Sequence, residues 1–318
     1  MKLLLACCAV LLAQAAGASE APAWLYPINP PAPVNPPVFD RSRPLRVPGS
    51  PVTYTEAQLN DLFTAPDWFP RSHTPMPAVV ARGRAPDLYA CGFCHTPSGQ
   101  GRPENASLAG LPANYIVHQL ADMKSGARHG AAPGAYRPSE RMFEVAQHAT
   151  AGEVAAAAEY FSRQPYRPHV RVVEQARVPR SQVIGWVYAA VPGGGDEPLG
   201  QRLMEFTPDP GRHERRDDGL VYTAYVPAGS LARGRLLARG GGDKAAPPCI
   251  TCHGNQLQGT AVIPRLAGRS PTYLLRQLLA FKSGARAGTN GQLMRMVVAN
   301  LQIGDMIDVA AYAASQQP

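Results

Sequence analysis

Four of the six cysteines in this 318-residue chain lie in two copies of one pattern, Cys-x-x-Cys-His. The reactive positions are Cys91, Cys94 and His95 in the first copy and Cys249, Cys252 and His253 in the second. Two thiols at this spacing share one side of a helical turn, where they can add to the two vinyl groups of a porphyrin. The histidine after them can then supply a neutral imidazole nitrogen to the iron. The motifs therefore predict two covalently bound haem c groups.

A zinc site is the alternative for each motif, because closely spaced cysteine and histidine also bind Zn²⁺. Such a site needs further ligands at matching places in both copies, and the sequence shows none. The other two cysteines, Cys7 and Cys8, lie in an N-terminal export signal and leave the mature chain none for a disulfide. We therefore expect haem at both motifs.

Both motifs lie in a longer internal repeat, whose equivalent residues occur in the same order. Leu108–Gly110 corresponds to Leu266–Gly268, Lys124–Arg128 to Lys282–Arg286, and Tyr115 and Gln119 to Tyr273 and Gln277. Beyond a short deletion in the second copy, Met142 corresponds to Met294. Two copies of one long unit, each with its own motif, indicate tandem domains of one architecture.

The combined pattern resembles the di-haem class I cytochromes c of the c4 type. It consists of the Cys-x-x-Cys-His motif, Leu-Ala-Gly, Tyr, Gln-Leu, Lys-Ser-Gly-Ala-Arg, Met and a closing helix, and it occurs in two blocks. The resemblance implies small helical domains, covalent haem, iron ligation by histidine and methionine, and periplasmic electron transfer. It also implies a quinol-oxidising complex or a dehydrogenase as electron donor and a terminal oxidase as acceptor.

The resemblance further implies a second axial iron ligand from the later part of each domain. The candidates are Met123, Met142, His118, His129 and His148 in the first domain and Met294, Met296 and Met306 in the second. Met142 and Met294 match each other in the repeat, and a thioether ligand stabilises ferrous iron. We expect His95/Met142 and His253/Met294 ligation, with core packing as the alternative for each methionine.

The proximal histidine of this family typically donates its other ring nitrogen to a proline carbonyl, which fixes the ring. Pro264 fits that position in the second copy, and its equivalent in the first copy is Ala106. A backbone carbonyl can still serve there, because proline adds only rigidity. We expect the two haems to be inequivalent.

Other repeated residues have a simpler interpretation. Tyr115 and Tyr273 lie at helical spacing and are expected to pack in the core. Lys124, Arg128, Lys282 and Arg286 are expected near helix ends, either beside haem propionates or on a solvated face.

The predicted fold is mainly α, with two tandem class I cytochrome c domains, a small antiparallel β insertion between them and a proline-rich N-terminal arm. The predicted ranges are a signal peptide at 1–18, the arm at 19–74, the first domain at 75–166, the insertion at 167–228 and the second domain at 229–318. Cap signals predict helix starts at Thr55, Thr150, Ser230 and Ser270. The signal predicts export to the periplasm, and no later apolar run is long enough to span a bilayer.

The leading functional hypothesis is a soluble periplasmic electron carrier without catalytic residues. The formal charge of +8 is offset in part by haem propionates and favours acidic redox partners. The basic residues are dispersed and no nucleic-acid motif occurs, which argues against a nucleic-acid partner; peripheral association with a membrane stays open. The alternatives are a cytochrome subunit of a dehydrogenase, favoured by the arm and insertion, and a di-haem peroxidase, disfavoured by the matching methionines.

Overall fold

The computed structural model describes residues 21–31, 40, 42–130, 136–241 and 246–317. The predicted export signal, 1–18, lies outside these ranges. Within them, no helix combines the length and the apolar character needed to cross a membrane.

The arm (residues 19–74, described from 21) packs against the rest of the chain. It contains a 3-10 turn at Ala23–Leu25 and helix α1 at Glu56–Leu59. The capping box of Thr55 and Gln58 is confirmed, although α1 ends before Phe63, the expected end. We expected Trp68 lies in a small core with Val47 and Leu59, and its indole nitrogen donates to the Arg215 carbonyl at 2.7 Å.

The first repeat (residues 75–166) is helical. Its helices are α2 Ala78–Ala81, α3 Cys91–His95, α4 Ala113–Lys124, α5 Arg137–His148 and α6 Ala151–Ser162. The capping box of Thr150 and Glu153 at the start of α6 is confirmed. Helices α4 and α6 pack around a core that includes Ile116, Ala158 and Phe161.

The β insert (residues 167–228) forms two sheets. Its elements are β1 Val170–Glu174, β2 Arg177–Pro179, β3 Ser181–Ile184, β4 Val187–Ala190, β5 Asp196–Pro198, β6 Met204–Thr207, α7 Pro210–Glu214 and β7 Tyr222–Val226. Five strands form one sheet in the order β1-β7-β6-β4-β3, and β2 pairs with β5.

The prediction of a purely antiparallel insert was wrong in part. Strand β1 pairs with β7 in parallel, and β4 pairs with β6 in parallel. Parallel neighbours are joined by long crossovers rather than tight turns. Strand spacing along the sequence therefore does not reveal which strands become neighbours.

The second repeat (residues 229–318, described to 317) has the same helical order. Its helices are α8 Ser230–Ala238, α9 Cys249–His253, α10 Pro271–Ser283, a 3-10 turn Thr289–Gly291, α11 Gln292–Val298 and α12 Ile303–Ser315. Ser270 caps α10 with Pro271 at its first position, as expected. Ser230 begins α8 rather than capping it, because Gly229 takes the cap position with φ +79°.

The arm completes the core of the second repeat. Leu25 and Tyr26 are buried in one cluster with Leu274, Leu275 and other residues of that repeat. The guanidinium of Arg276 donates to the Leu25 carbonyl at 3.2 Å. The described start of the proline-rich segment is therefore anchored.

Candidate haem sites and the interface between the repeats

The predicted ligands of the first repeat line one cavity. Helix α3 presents Cys91, Cys94 and His95 to a cavity of about 200 Å³, and Met142 of α5 lines it as well. The other lining residues include many apolar side chains, among them Ile116 of α4, Phe143 of α5 and Phe161 of α6. The fold thus brings the motif and the preferred methionine together around an apolar space.

Met123 also lines this cavity, from α4. It is buried in the core, as its alignment with Phe281 indicates, whereas Met142 is half-buried. Of the described histidines, none besides His95 lines the cavity. His118 instead lies 3.0 Å from the side-chain amide of Asn290, and His148 is exposed.

Each proximal histidine is oriented by a backbone carbonyl. Nδ1 of His95 lies 2.7 Å from the Ala106 carbonyl oxygen, and Nδ1 of His253 lies 2.8 Å from that of Pro264. Both predicted partners are therefore in place. Burial lowers the pKa of His95 and of His253, which favours the neutral ring. With Nδ1–H donating to a carbonyl, Nε2 carries the free lone pair that an iron ligand requires.

The motif thiols lie mostly in apolar surroundings. Burial raises the pKa of Cys91 to about 12 and also raises the pKa values of Cys94 and Cys249. The raised pKa values keep these thiols neutral, and a thioether, which has no ionisable proton, would be uncharged in the same surroundings. Cys252 differs, because it is exposed.

In the second repeat, Cys249 and Met294 pack partly buried against one apolar cluster, which also contains Leu257 and Leu274. The other two candidate methionines of the second repeat lie in different surroundings. Met296 is 64% exposed, and Met306 is fully buried in the core at 0% exposure. Met294 thus packs against the same core cluster as Cys249, whereas Met296 is mostly exposed to solvent.

A polar network joins the two repeats at equivalent residues. Its six members are Tyr115, Gln119, Arg128, Tyr273, Gln277 and Arg286. Arg128 donates to Gln119 at 2.9 Å and to Gln277 at 3.0 Å. Arg286 donates to Gln277 at 3.1 Å and to Gln119 at 2.5 Å. Each arginine therefore bridges its own repeat to the other one.

The backbone continues this connection. The His129 amide donates to the Ala285 carbonyl at 2.8 Å, and the Ala287 amide donates to the Ala127 carbonyl at 2.7 Å. Sequence reasoning had expected helix-end or solvated arginines and core tyrosines, and it missed this interface. The signal was present, because Lys-Ser-Gly-Ala-Arg is the longest identical run of the repeat.

The network has more positive charge than its protein partners balance. Among the described residues, neither Arg128 nor Arg286 forms an ion pair with a carboxylate. Burial and the neighbouring Arg286 lower the pKa of Arg128. Arg128, Gln119 and Gln277 also line the first cavity. Two guanidiniums paired only with amides and a tyrosine hydroxyl fit the carboxylates of haem propionates.

The repeated lysines have a different role. Lys124 Nζ donates to the Ala149 carbonyl, and Lys282 Nζ donates to the equivalent carbonyl of Leu301. In each repeat the lysine thus binds a backbone carbonyl of the segment just before the closing helix. Lysine side chains bind carbonyls near the C-terminal end of a helix in the same way.

The comparison with known proteins identifies the family. Cytochrome c-554(548) of Halomonas halodenitrificans is 42% identical over 81 residues, which are 25% of this chain and 96% of that protein. The chain belongs to the class I cytochromes c. No protein-family model matches it.

The tandem relatives extend this similarity over both repeats. Cytochrome c4 of Azotobacter vinelandii is 27% identical over 246 residues, covering 76% of this chain and 90% of that protein. A thiosulfate dehydrogenase electron acceptor of Thiomonas intermedia is 27% identical over 236 residues, covering 73% and 80%. This class I cytochrome c is therefore of the c4-like type, a haem c protein that transfers electrons.

Proposed function

We propose that the protein carries two haem c groups, one in each of two domains at 75–166 and 229–318, and passes electrons between periplasmic redox partners. The observation that carries this proposal is the cavity that Cys91, Cys94, His95 and Met142 line together. The second motif repeats the same histidine-to-carbonyl contact.

The chain's own residues hold and tune the cofactors. Cys91, Cys94, Cys249 and Cys252 form the thioether attachments, and His95 and His253 ligate the irons through Nε2. Met142 and Met294 would each supply a thioether sulfur to the iron of its own repeat. The haem iron supplies one-electron chemistry when bound. The apolar cavity walls exclude water, and the two carbonyls keep each imidazole in one orientation.

Arg128 and Arg286 balance propionate charge at the interface of the repeats. Because both arginines contact both repeats, this interface is where we place the propionate edges of the two haems. A guanidinium is always charged and binds a carboxylate through paired N–H groups. The network therefore connects the two cofactor sites and stabilises their negative edges.

The cellular setting of the proposal follows from the sequence and the relatives. The signal at 1–18 directs export to the periplasm, and the basic pI of about 9.3 favours acidic partners. The donor is a quinol-oxidising complex or a dehydrogenase, and the acceptor is a terminal oxidase. The likeness to a thiosulfate dehydrogenase electron acceptor favours a second candidate, in which the protein serves one dehydrogenase as its dedicated cytochrome.

Spectroscopy of the purified mature chain tests the cofactors and ligands. Alkaline pyridine spectra are expected to show two haem c per chain, and fewer would refute the proposal. Met142→Ala is expected to abolish the near-infrared methionine-to-iron band of one haem. The matched control, Met296→Ala, changes an exposed methionine and should leave both bands. Retention of both bands in the Met142 variant would exclude the ligand assignment.

Partner assays separate the functional candidates. A free carrier is expected to be a stable monomer that exchanges electrons with both a donor and an oxidase. Co-purification with a dehydrogenase would favour the dedicated subunit. Rapid peroxide turnover by the half-reduced protein would contradict both and favour a peroxidase.

A further inference from the structure

A second cavity, of about 490 Å³, lies where the arm, the first repeat and the β insert meet. Leu59 comes from the arm, Cys94 and Arg141 from the first repeat, and Trp186 and Arg216 from the insert. It adjoins the first cavity, because Cys94 and Arg141 line both. The cavity thus lies beside the Cys94 edge of the proposed first haem, and its outer walls belong to neither repeat.

Arginine dominates the charge of this cavity. The charged lining residues are Arg102, Arg137, Arg141, Arg215, Arg216, Glu56, Glu104 and Glu214. Arg102 pairs with Glu104 at 3.0 Å, and Arg137 pairs with Glu140 at 2.6 Å. Among the ion pairs of the described residues, none involves the other three arginines. Of the remaining carboxylates, Glu56 is half-buried and Glu214 is exposed.

Two arginine donors of this cavity lack hydrogen-bond acceptors, and the carboxylate oxygens of Glu104, which faces Arg102 as an ion pair, are likewise buried without a hydrogen-bond partner. Nε of Arg102 and Nε of Arg216 are both buried without a hydrogen-bond partner. Arg216 does donate to the Leu59 carbonyl at 2.6 Å, and its guanidinium lies 3.8 Å from the ring centroid of Phe93. A buried donor without an acceptor costs about 1–3 kcal/mol. An acceptor from outside the chain would recover part of that cost.

The arginines also repel one another. Burial, then the charge of Arg102, lowers the pKa of Arg216 to about 9, and Arg141 contributes in the same direction. Arg102, Arg141 and Arg216 all line this cavity together with Cys94.

We propose that this cavity binds a small oxyanion, of the sulfate, phosphate or dicarboxylate class, through Arg102, Arg141 and Arg216. Guanidinium N–H groups pair with oxyanions in directed, charge-assisted hydrogen bonds. A partly desolvated site strengthens the attraction. Arg102 and Arg141 come from the first repeat, and the arm and the insert complete the site, which gives these two additions a ligand-binding role.

The bound anion would act on the first haem, and this consequence rests on the proposed haem attachment at Cys94. A negative charge beside the haem favours ferric iron over ferrous iron. By linkage, the ferric protein must then bind the anion more tightly. A preference of about tenfold for the ferric form lowers the potential of that haem by about 59 mV.

The test uses the full-length holoprotein and sulfate or phosphate, with chloride at equal ionic strength as the reference. Calorimetry is expected to show one oxyanion site per chain. Potentiometric titration is expected to show one of two waves moving to lower potential as sulfate is added. Arg216→Gln should weaken binding at least tenfold and abolish the shift. The matched control, Arg180→Gln, changes an exposed arginine of the insert and should retain both the anion binding and the potential shift.

Arg141→Gln provides a second variant if Arg216→Gln loses haem or fails to fold, and it is expected to weaken binding in the same way. No binding of either anion by the wild-type protein, or equal binding by the Arg216 and Arg180 variants, would overturn the proposal. Specific binding that moves neither wave would uphold the site and contradict its effect on the potential of the first haem, while the pyridine spectra test haem attachment separately.

Discussion

Replacement of Gly234 by alanine is expected to destabilise the second repeat. Gly234 lies on α8, where it faces α12. A Cβ atom there would lie 2.0 Å from the backbone oxygen of Asp308 and 2.5 Å from its carbonyl carbon. Ordinary van der Waals contact requires about 3.5 Å. The contacted atoms are backbone, so no side-chain rotation relieves the clash, and the two helices must separate.

The expected loss of folding free energy follows from this geometry. Overpacking of this kind costs about 1–3 kcal/mol. Separation of the helices also lengthens the contacts of Arg233 Nε and Nη2 with the Asp308 carboxylate, now 2.7 and 3.0 Å. The higher helix propensity of alanine offsets up to about 1 kcal/mol of this loss of stability. The matched control is Gly304→Ala on α12, where nothing lies within 4 Å of an added Cβ.

Thermal unfolding of the holoprotein, followed by circular dichroism, measures the difference between the two variants. We expect Gly234→Ala to melt roughly 2–12 °C below Gly304→Ala, since about 1–3 kcal/mol is lost and each kcal/mol moves Tm by about 2–4 °C in proteins of 150–250 residues. Equal melting temperatures for the two variants would refute the close packing of α8 on α12.

Three further variants test the insert and the two haem sites. Burial raises the pKa of Glu205, so its charged form costs stability as pH rises above the ordinary carboxyl range. Glu205→Gln should therefore raise Tm at pH 8 but not at pH 4, and a pH-independent difference would contradict this. Arg286→Gln should weaken the fold by about 1–3 kcal/mol in urea, through lost hydrogen bonds to Gln119 and Gln277; an unchanged midpoint would exclude a stabilising network. Pro264→Ala keeps the carbonyl that His253 contacts, so the haem spectrum should stay the same, and loss of the second haem would show that proline itself is required.

Local signals were read correctly from the sequence. The caps at Thr55, Thr150 and Ser270 depend on residues three positions away or fewer. The histidine-to-carbonyl contacts also lie within one short loop of each motif. The caps are determined by neighbouring residues, so spacing is enough to predict them, whereas the histidine-to-carbonyl contacts were expected from the family resemblance.

Long-range contacts were not predicted. The parallel pairing of β1 with β7, the contact of Trp68 with Arg215, and the bridging of the repeats by Arg128 all join distant parts of the chain. One sequence specifies which residues repeat but not which of them meet across a domain boundary. Arg128 and Arg286 were therefore recognised as equivalent, yet not as partners.

The structure points to a different origin for the expected difference between the two haems. We had expected it to come from the Ala106 and Pro264 positions, but their carbonyls contact the histidines at nearly equal distances, 2.7 and 2.8 Å. The larger difference lies at the second cysteine of each motif. Cys94 is half-buried beside an arginine-lined cavity that the arm and the insert complete, whereas Cys252 is exposed. The histidine-to-carbonyl contact is alike in both repeats, so we expect the added segments to distinguish the two sites.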